Sequence, residues 1–324
     1  MSLFEPRHTI EPNEYPWATD FFTKQVQAKW IWTEVNMAKD ISDFNNVLTP
    51  AQKSIPTRIL RLFTATEVTV AEFWSQKIAR WFLKPEIIQM ALTNAGMEAI
   101  HISGYDYLSK ALNLPRSEYM EVLTNPVLQA RQQRLASILS NEDTLEDKAL
   151  AIAVFSAFTE GVCLFASFAA LMNFSRFGLM PGVAQIVAWS SRDESLHSES
   201  GCRLFRELIA ENPHIWTDAF KKKIYEAARL TVELEDQYLD YVFEEGDVEG
   251  ITVKQLKAFV RFRTDTKLND LGLKRNYKNL DLNIVRSVTS WYDVMVAGRA
   301  HTDFFHTKSA EYSEGHVNWS SIKF

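Results

Sequence analysis

Two pairs of side chains in this sequence have the spacing of a metal site. Glu98 precedes His101 by three residues in MEAIHISGY, and Glu194 precedes His197 by three in RDESLHSES. On a helix, positions i and i+3 share a face, so each pair can present a carboxylate oxygen and an imidazole nitrogen to one ion. Alone the spacing is weak evidence, because an exposed Glu–His couple one turn apart has the same pattern. The context is stronger. Glu67 lies in RLFTATEVTVAEFW and Glu160 in AVFSAFTEGVCLFASFA, both carboxylates among apolar neighbours. A buried carboxylate must be protonated, paired or bound to metal. One Glu from each of two helices, with Glu-x-x-His from each of two others, is the pattern of di-iron and di-manganese carboxylate sites. Four carboxylates balance the charge of two divalent ions, so the loaded site is neutral in a low-dielectric core. Oxygen and imidazole donors without thiolate suit iron or manganese better than structural zinc.

Such a site needs helices to hold it, and the chain supplies them. It has 324 residues with only 11 glycines and 10 prolines, which argues against turn-dense β architectures. Prolines fall between apolar-periodic stretches, at Pro16, Pro50, Pro56, Pro85, Pro115, Pro126, Pro181 and Pro213. The periodicity predicts helices over about 18–39, 57–83, 86–112, 117–139, 144–174, 182–211, 217–244, 252–270 and 282–297, with very little strand. This is an all-α chain, one helical domain over 1–306 and a polar, flexible tail over 307–324. The stretch from Ala149 to Ser175 carries a single charge, Glu160, and is long enough to span a membrane. With no second span, it reads instead as the central helix of a bundle, apolar on every side.

Composition narrows the function. Net charge is −6 and pI about 5.7, so there is no basic footprint for nucleic acid. Two cysteines, Cys163 and Cys202, exclude a disulfide scaffold, a CxxC redox pair and a cysteine-rich zinc site. The segment MSLFEPRHTIEPNEYPW has no secretory pattern, and the chain reads as soluble and cytoplasmic, without a membrane.

The combination of MEAIHISGY, FTEGVCLFASFA, RDESLHSESG and DFFHTKSAEYSEGHV resembles the small, radical-generating subunit of class I ribonucleotide reductase, from about Trp30 to Tyr312. The resemblance implies a ferritin-like helical bundle with additional helices. It implies a dinuclear centre held by Glu67, Glu98, His101, Glu160, Glu194 and His197. It places a radical-storing tyrosine at Tyr105, one turn after His101, with Leu164 and Phe168 as shielding. Subunits with a stable tyrosyl radical usually carry Asp where this chain has Glu67. The run Glu67-Val68-Thr69-Val70, with Phe73 and Trp74, is similar to dimanganese-type subunits. Fe/Fe, Mn/Mn and Mn/Fe centres therefore stay open, as does storage of the oxidant on Tyr105 or on the metals. Trp30 matches the conducting tryptophan, with Trp32 as the alternative. The resemblance implies that Asp193 bridges His101 to that tryptophan, and Tyr312 matches the redox tyrosine of the tail, with Tyr292 as the alternative.

By the same resemblance the chain forms a homodimer. It docks through its tail to a large catalytic subunit that reduces ribonucleotides, commonly diphosphates, to deoxyribonucleotides. The chain itself has no Gly-rich phosphate loop. Cys163 and Cys202 do not form a reducing set, and Cys163 reads as a small core residue. Nucleotide binding and allosteric control are thus expected on the partner. An activating flavoprotein stays open. A ligand-binding dimetal oxidase or hydroxylase of the same bundle is the rival reading, and it gives Trp30, Asp193 and Tyr312 no common role. An iron-storage cage fits less well, since such cages are built from shorter four-helix chains.

Overall fold

Proline opens many of the helices, because the N–H it lacks at a first-turn position has no intrahelical partner in any case. The computed structural model describes residues 2–115 and 120–306. In it Pro16, Pro50, Pro85, Pro126 and Pro181 each start a helix. The helices are α1 (Pro16–Gln27), α2 (Ala38–Asn46), α3 (Pro50–Glu72), α4 (Pro85–Ala111) and α5 (Pro126–Ser140). Next comes a long helix, α6, made of Leu145–Ile152, a π-helical segment Ala153–Cys163 and Leu164–Asn173. After it follow α7 (Pro181–Glu211), α8 (Asp218–Val242), α9 (Val253–Asp270) and α10 (Leu282–His306). Among the described residues there is no strand, only an isolated bridge between Val248 and Ile251.

The apolar helix is the centre of the bundle. Ala153–Val162 and Leu164–Asn173 are buried along their whole length. Around them pack α7, α8 and α9, while α3 lies along α4. Each fully buried Phe of this helix, such as Phe155, Phe158 and Phe168, contributes about 2 kcal/mol of apolar burial. The window of Leu145–Phe177 apolar enough to cross a membrane is 89% buried inside the protein, as expected of a core helix. Close approach of α6 and α7 needs Gly201, where a Cβ would sit 1.9 Å from Ser156 Oγ. The π segment widens the helix around Glu160, and Thr159 Oγ1 donates to the Val154 carbonyl at 3.0 Å. A second π turn, Phe73–Ile78, continues α3 beyond Glu67.

Four boundaries differ from the sequence reading. The helix expected over 18–39 ends at Gln27; the chain runs on irregularly through Trp30 to a 3₁₀ turn at Trp32–Glu34 before α2 begins. Burial of the Trp30 indole against α7 outweighs local helix propensity there. Pro56 does not start a helix; it is buried inside α3, which starts at Pro50. Thr49 and Gln52 form a capping box (2.9 and 3.3 Å) that nucleates the earlier start, a contribution of about 1 kcal/mol. The helix expected over 117–139 is interrupted within the described residues: Glu121–Leu123 is a 3₁₀ turn, and α5 starts afresh at Pro126, where Asn125 caps the N–H of Val127 at 2.9 Å. Finally, α10 continues to His306 rather than ending at 297.

The start of α7 is capped from outside. Met180, its flanking residue, is left-handed (φ 50°) and makes no side-chain cap. Instead Asp40 of α2 accepts from the N–H groups of Gly182 (3.0 Å) and Val183 (2.8 Å), and Asp43 accepts from that of Met180 (3.0 Å). Carboxylates at a helix N-terminus satisfy its orphan donors and complement its dipole.

Candidate dimetal centre

Four helices converge on one point. Glu67 comes from α3, Glu98 and His101 from α4, Glu160 from α6, and Glu194 and His197 from α7. All six side chains are fully buried. Their donor atoms form two overlapping groups, each within 4.8 Å: Glu67, Glu98, His101 and Glu194, and then Glu98, Glu160, Glu194 and His197. Each group has one imidazole and one carboxylate of its own, and both share Glu98 and Glu194. Such a set suits a dinuclear metal site, in which Glu98 and Glu194 would be within reach of both positions.

His101 Nδ1 faces Glu194 Oε1 at 3.0 Å and Glu98 Oε2 at 3.1 Å, and His197 Nδ1 lies 2.7 Å from Glu98 Oε1. These proximities do not satisfy the cluster. Both oxygens of Glu67 and of Glu194, Glu160 Oε2, Glu98 Oε1 and both nitrogens of His197 lack an aligned hydrogen-bond partner. A buried polar atom without a partner costs about 1–3 kcal/mol, and more when charged. The donor set therefore fits two divalent cations, which would engage the same atoms.

The electrostatics agree. Burial, with Glu98 and Glu194 beside it, holds the Glu67 carboxyl well above its usual range. Burial and the charge of Glu98 push Glu194 up to about 8, and burial raises Glu160. Glu98 goes the other way: burial opposes its charge, but His101 and His197 overcome it and bring the group to about 2. Both histidines are raised by the carboxylates despite burial. Without metal the cluster thus holds extra protons, which cations would displace.

Around the cluster lies a set of oriented neighbours. His101 Nε2 turns away from it to Asp193 Oδ2 at 3.3 Å. A carboxylate behind a metal-facing imidazole fixes its ring and tautomer. The same Asp193 oxygen accepts the Trp30 indole N–H at 2.7 Å, and Oδ1 accepts from Gln25 at 3.0 Å and from Arg192 at 3.3 Å. The Trp30 ring stacks on His101, centroids 5.9 Å apart and 20° between planes. Gly104 makes room for it: a Cβ there would lie 3.2 Å from the indole. Trp32 is half-buried on its 3₁₀ turn and is not a partner of Asp193, so the arrangement singles out Trp30 of the two.

Tyr105 is buried with its ring centroid 6.2 Å from that of His101. Its hydroxyl has no aligned partner, although Ser190 faces it. Burial and the nearby Glu67 raise its ionisation well above the normal phenol range. Phe63 packs directly on it at 4.8 Å, and Phe168 packs on Phe63 at 5.4 Å. Phe168 is thus one ring removed from Tyr105, and Leu164 is buried on the same helix. Tyr292, the alternative redox tyrosine, is buried and shares a hydrogen with Ser191 at 2.6 Å. Tyr312 lies outside the described residues. Cys163 is half-buried rather than fully buried, and Cys202 is buried; both are free thiols.

The residues 7–283 match the model of the family described as ribonucleotide reductase, small chain. This chain belongs to that family. The small-chain assignment makes it a subunit of an oxidoreductase that works with a large subunit, and the ligand-binding oxidase reading is not favoured. Among its relatives is the "probable ribonucleoside-diphosphate reductase small subunit" of Invertebrate iridescent virus 3, 34% identical over 97% of this chain and 86% of the relative. The ribonucleoside-diphosphate reductase subunit beta of Chlamydia pneumoniae is 25% identical over 96% of this chain and 91% of its own length. The fold is that of a Clostridium botulinum ribonucleotide reductase R2 subunit, with TM-score 0.80, 22% identity, and 87% and 89% of the two chains covered. The Streptococcus sanguinis dimanganese(II) NrdF is similar too, with TM-score 0.76, 18% identity, and 88% and 100% covered.

Some contacts of this small-chain site escaped the sequence reading. Trp74, noted there only as part of the run after Glu67, donates to Glu160 Oε1 at 2.6 Å. Phe63 precedes Glu67 by four residues, and Trp189 precedes Asp193 by four, so helical spacing could have found both. Gln25 had no such signal, because its reach to Asp193 depends on the chain leaving α1 two residues later.

Proposed function

We propose that this small chain generates and stores the one-electron oxidant that starts ribonucleoside-diphosphate reduction on the large subunit. The observation that carries the reading is the buried cluster of Glu67, Glu98, His101, Glu160, Glu194 and His197, whose donor atoms converge and are left unsatisfied by the protein. These six residues would hold two metal ions, and a bound pair would supply the redox chemistry with an oxygen species that protein side chains lack. Glu98 and Glu194 would bridge the ions. The donor chemistry suits Fe/Fe, Mn/Mn or Mn/Fe; the likeness to a dimanganese(II) protein supports manganese as one of the pair.

The protein's own part is to place donors and manage protons. Tyr105 stands one turn from His101 with a free hydroxyl, so it can give up an electron and its phenolic proton, with Glu67 as the carboxylate acting on it most strongly. Burial among Phe63 and Phe168 excludes water from that phenol. His101, Asp193 and Trp30 are linked by successive hydrogen bonds, which supports a proton-coupled route from the cluster towards the surface. Tyr312 of the 307–324 tail would continue it to a cysteine of the large subunit. A cytoplasmic homodimer, a body over 1–306 with that tail docking to the partner, and an activating flavoprotein complete the reading.

Electron paramagnetic resonance tests it, on protein loaded with iron, manganese or both, with metal quantified, then exposed to oxidant. A tyrosyl signal that disappears in Tyr105→Phe places the oxidant on Tyr105. A coupled metal signal unchanged by that substitution places it on the metals. Absence of two bound ions per chain under every loading would refute the proposal.

A further inference from the structure

The π-helical segment of α6 is held from outside at one carbonyl. π-helical turns are rare and mostly single. Here the segment runs for 11 residues, Ala153–Cys163, and carries Glu160. Arg263 of α9 reaches it. Its Nε donates to the Gly161 carbonyl at 3.0 Å, and its guanidinium lies over the Phe165 ring, 3.4 Å from the centroid. One side chain thus spans a turn of α6, beginning at the residue after Glu160. Burial brings the guanidinium down to about 10, because Tyr292, Asp293, Asp270 and Glu199 do not come close enough to offset its lost hydration. A cation buried without an adjacent countercharge is costly, so the contacts Arg263 does make are informative.

Gly161 is fitted to this place. A Cβ there would lie 2.5 Å from Ser198 Oγ of α7 and 2.8 Å from Lys267 Cδ of α9. The backbone of α6 is therefore pressed between both neighbours at the very residue whose carbonyl Arg263 engages. Glu160 itself accepts the Trp74 indole N–H at 2.6 Å. Its carboxylate is fixed by Trp74, and the backbone next to it by Arg263.

We propose that Arg263 is a positioning residue for the dimetal centre: its Nε–H holds the Gly161 carbonyl and so sets where the π segment presents Glu160. This rests on the reading of the cluster as a two-ion site. Glu160 belongs to only one of the two donor groups, the one with His197, whereas the other has Glu67 and His101. Loss of the Arg263 contact therefore weakens one ion position and spares the other.

The test compares the full chain as wild type, Arg263→Met and Arg263→Gln. Met keeps the stem as far as the Nε position but offers no donor. Gln places an amide N–H at the same bond count from Cα, without the charge. The first readout is manganese(II) titration of the metal-free protein, giving the affinity of each ion. The second is hydrogen exchange of the amides of residues 153–163 in the metal-free protein, and thermal melting of the same samples controls for folding. Arg263→Met is expected to weaken one ion about tenfold, to leave the other unchanged and to speed exchange in the segment about tenfold, whereas Arg263→Gln recovers most of both. Wild-type affinities and exchange in Arg263→Met overturn the proposal. Equal losses in Met and Gln overturn it too, since they point to charge or bulk rather than to the donor. Equal weakening of both ions does the same, because it marks a general loosening of the bundle. Failure of the wild type to bind two ions under any loading refutes the two-ion reading instead, and the exchange rates then still decide whether Arg263 holds the segment.

Discussion

Helix α4 buries two carboxylates in opposite circumstances. At its start, Glu86 is fully buried and fully engaged: both its oxygens meet the Arg7 guanidinium, and Oε1 also accepts the N–H groups of Glu14 (3.1 Å) and Tyr15 (3.0 Å). Three turns on, Glu98 is equally buried but joins Glu67, Glu160 and Glu194, whose oxygens converge and largely lack aligned hydrogen-bond partners from the protein. Burial of charge is common to both places. The difference is compensation: Glu86 brings its countercharge with it, and the cluster waits for one from outside. Unmatched donors, more than burial, mark the functional carboxylates.

This contrast can be broken at either end. The largest effect is expected from Glu98→Ala, which removes a donor shared by both groups. Metal analysis should show loss of at least one of the two ions, and turnover with the large subunit should fall to background. Retention of both ions would refute the bridging role. Arg7→Met should do the reverse. It strips Glu86 of its countercharge and should cost about 3–5 kcal/mol in denaturant unfolding, while metal content per folded chain stays unchanged.

A sharper comparison comes from pH. Glu67, Glu160 and Glu194 hold protons in the folded, metal-free protein that the unfolded chain releases, so their contribution is present below about pH 4.5 and is lost as pH rises through about 8 for Glu194. The raised histidines act in the same direction; Glu98 has the opposite sign, its contribution being present above about pH 4.5 and lost as pH falls towards about 2. Urea melts of metal-free protein should therefore show stability falling from pH 5 towards 8.5, less steeply in Glu67→Gln, while metal affinity rises over the same span. A flat metal-free profile would count against the clustered arrangement. The smallest effect is expected from Gly104→Ala. The added methyl displaces the Trp30 ring by a few tenths of an ångström, so turnover should fall by about threefold with metal content intact.

Much of the centre was legible because helical spacing is local. Glu98 with His101 and Glu194 with His197 needed only the i, i+3 rule, and Glu160 stood out as the single charge of an apolar helix. The bundle was legible for the same reason, since its apolar stripes repeat within each element. What failed was set by distant partners. The break after Gln27 depends on Trp30 finding Asp193 far along the chain, and the place of Pro56 inside α3 depends on a cap seven residues upstream. Gln25 is the clearest case: nothing near it in sequence distinguishes it from a surface glutamine, yet it supports Asp193 from 168 residues away in the chain.

The segment carrying Trp30 is tied to α7 on both sides. Before it, Gln25 bonds Asp193, and the Ala28 carbonyl accepts from Arg192; after it, Asp40 and Asp43 hold the first turn of the same helix. Trp30 is thus slung between two moorings on one rod. Tyr107 of α4 holds the same stretch from the other side, its hydroxyl donating to the Val35 carbonyl at 2.8 Å. The indole is therefore framed by both helices, with Asp193 on one hand and the bare backbone of Gly104 on the other, and a change in either helix would be felt at the ring.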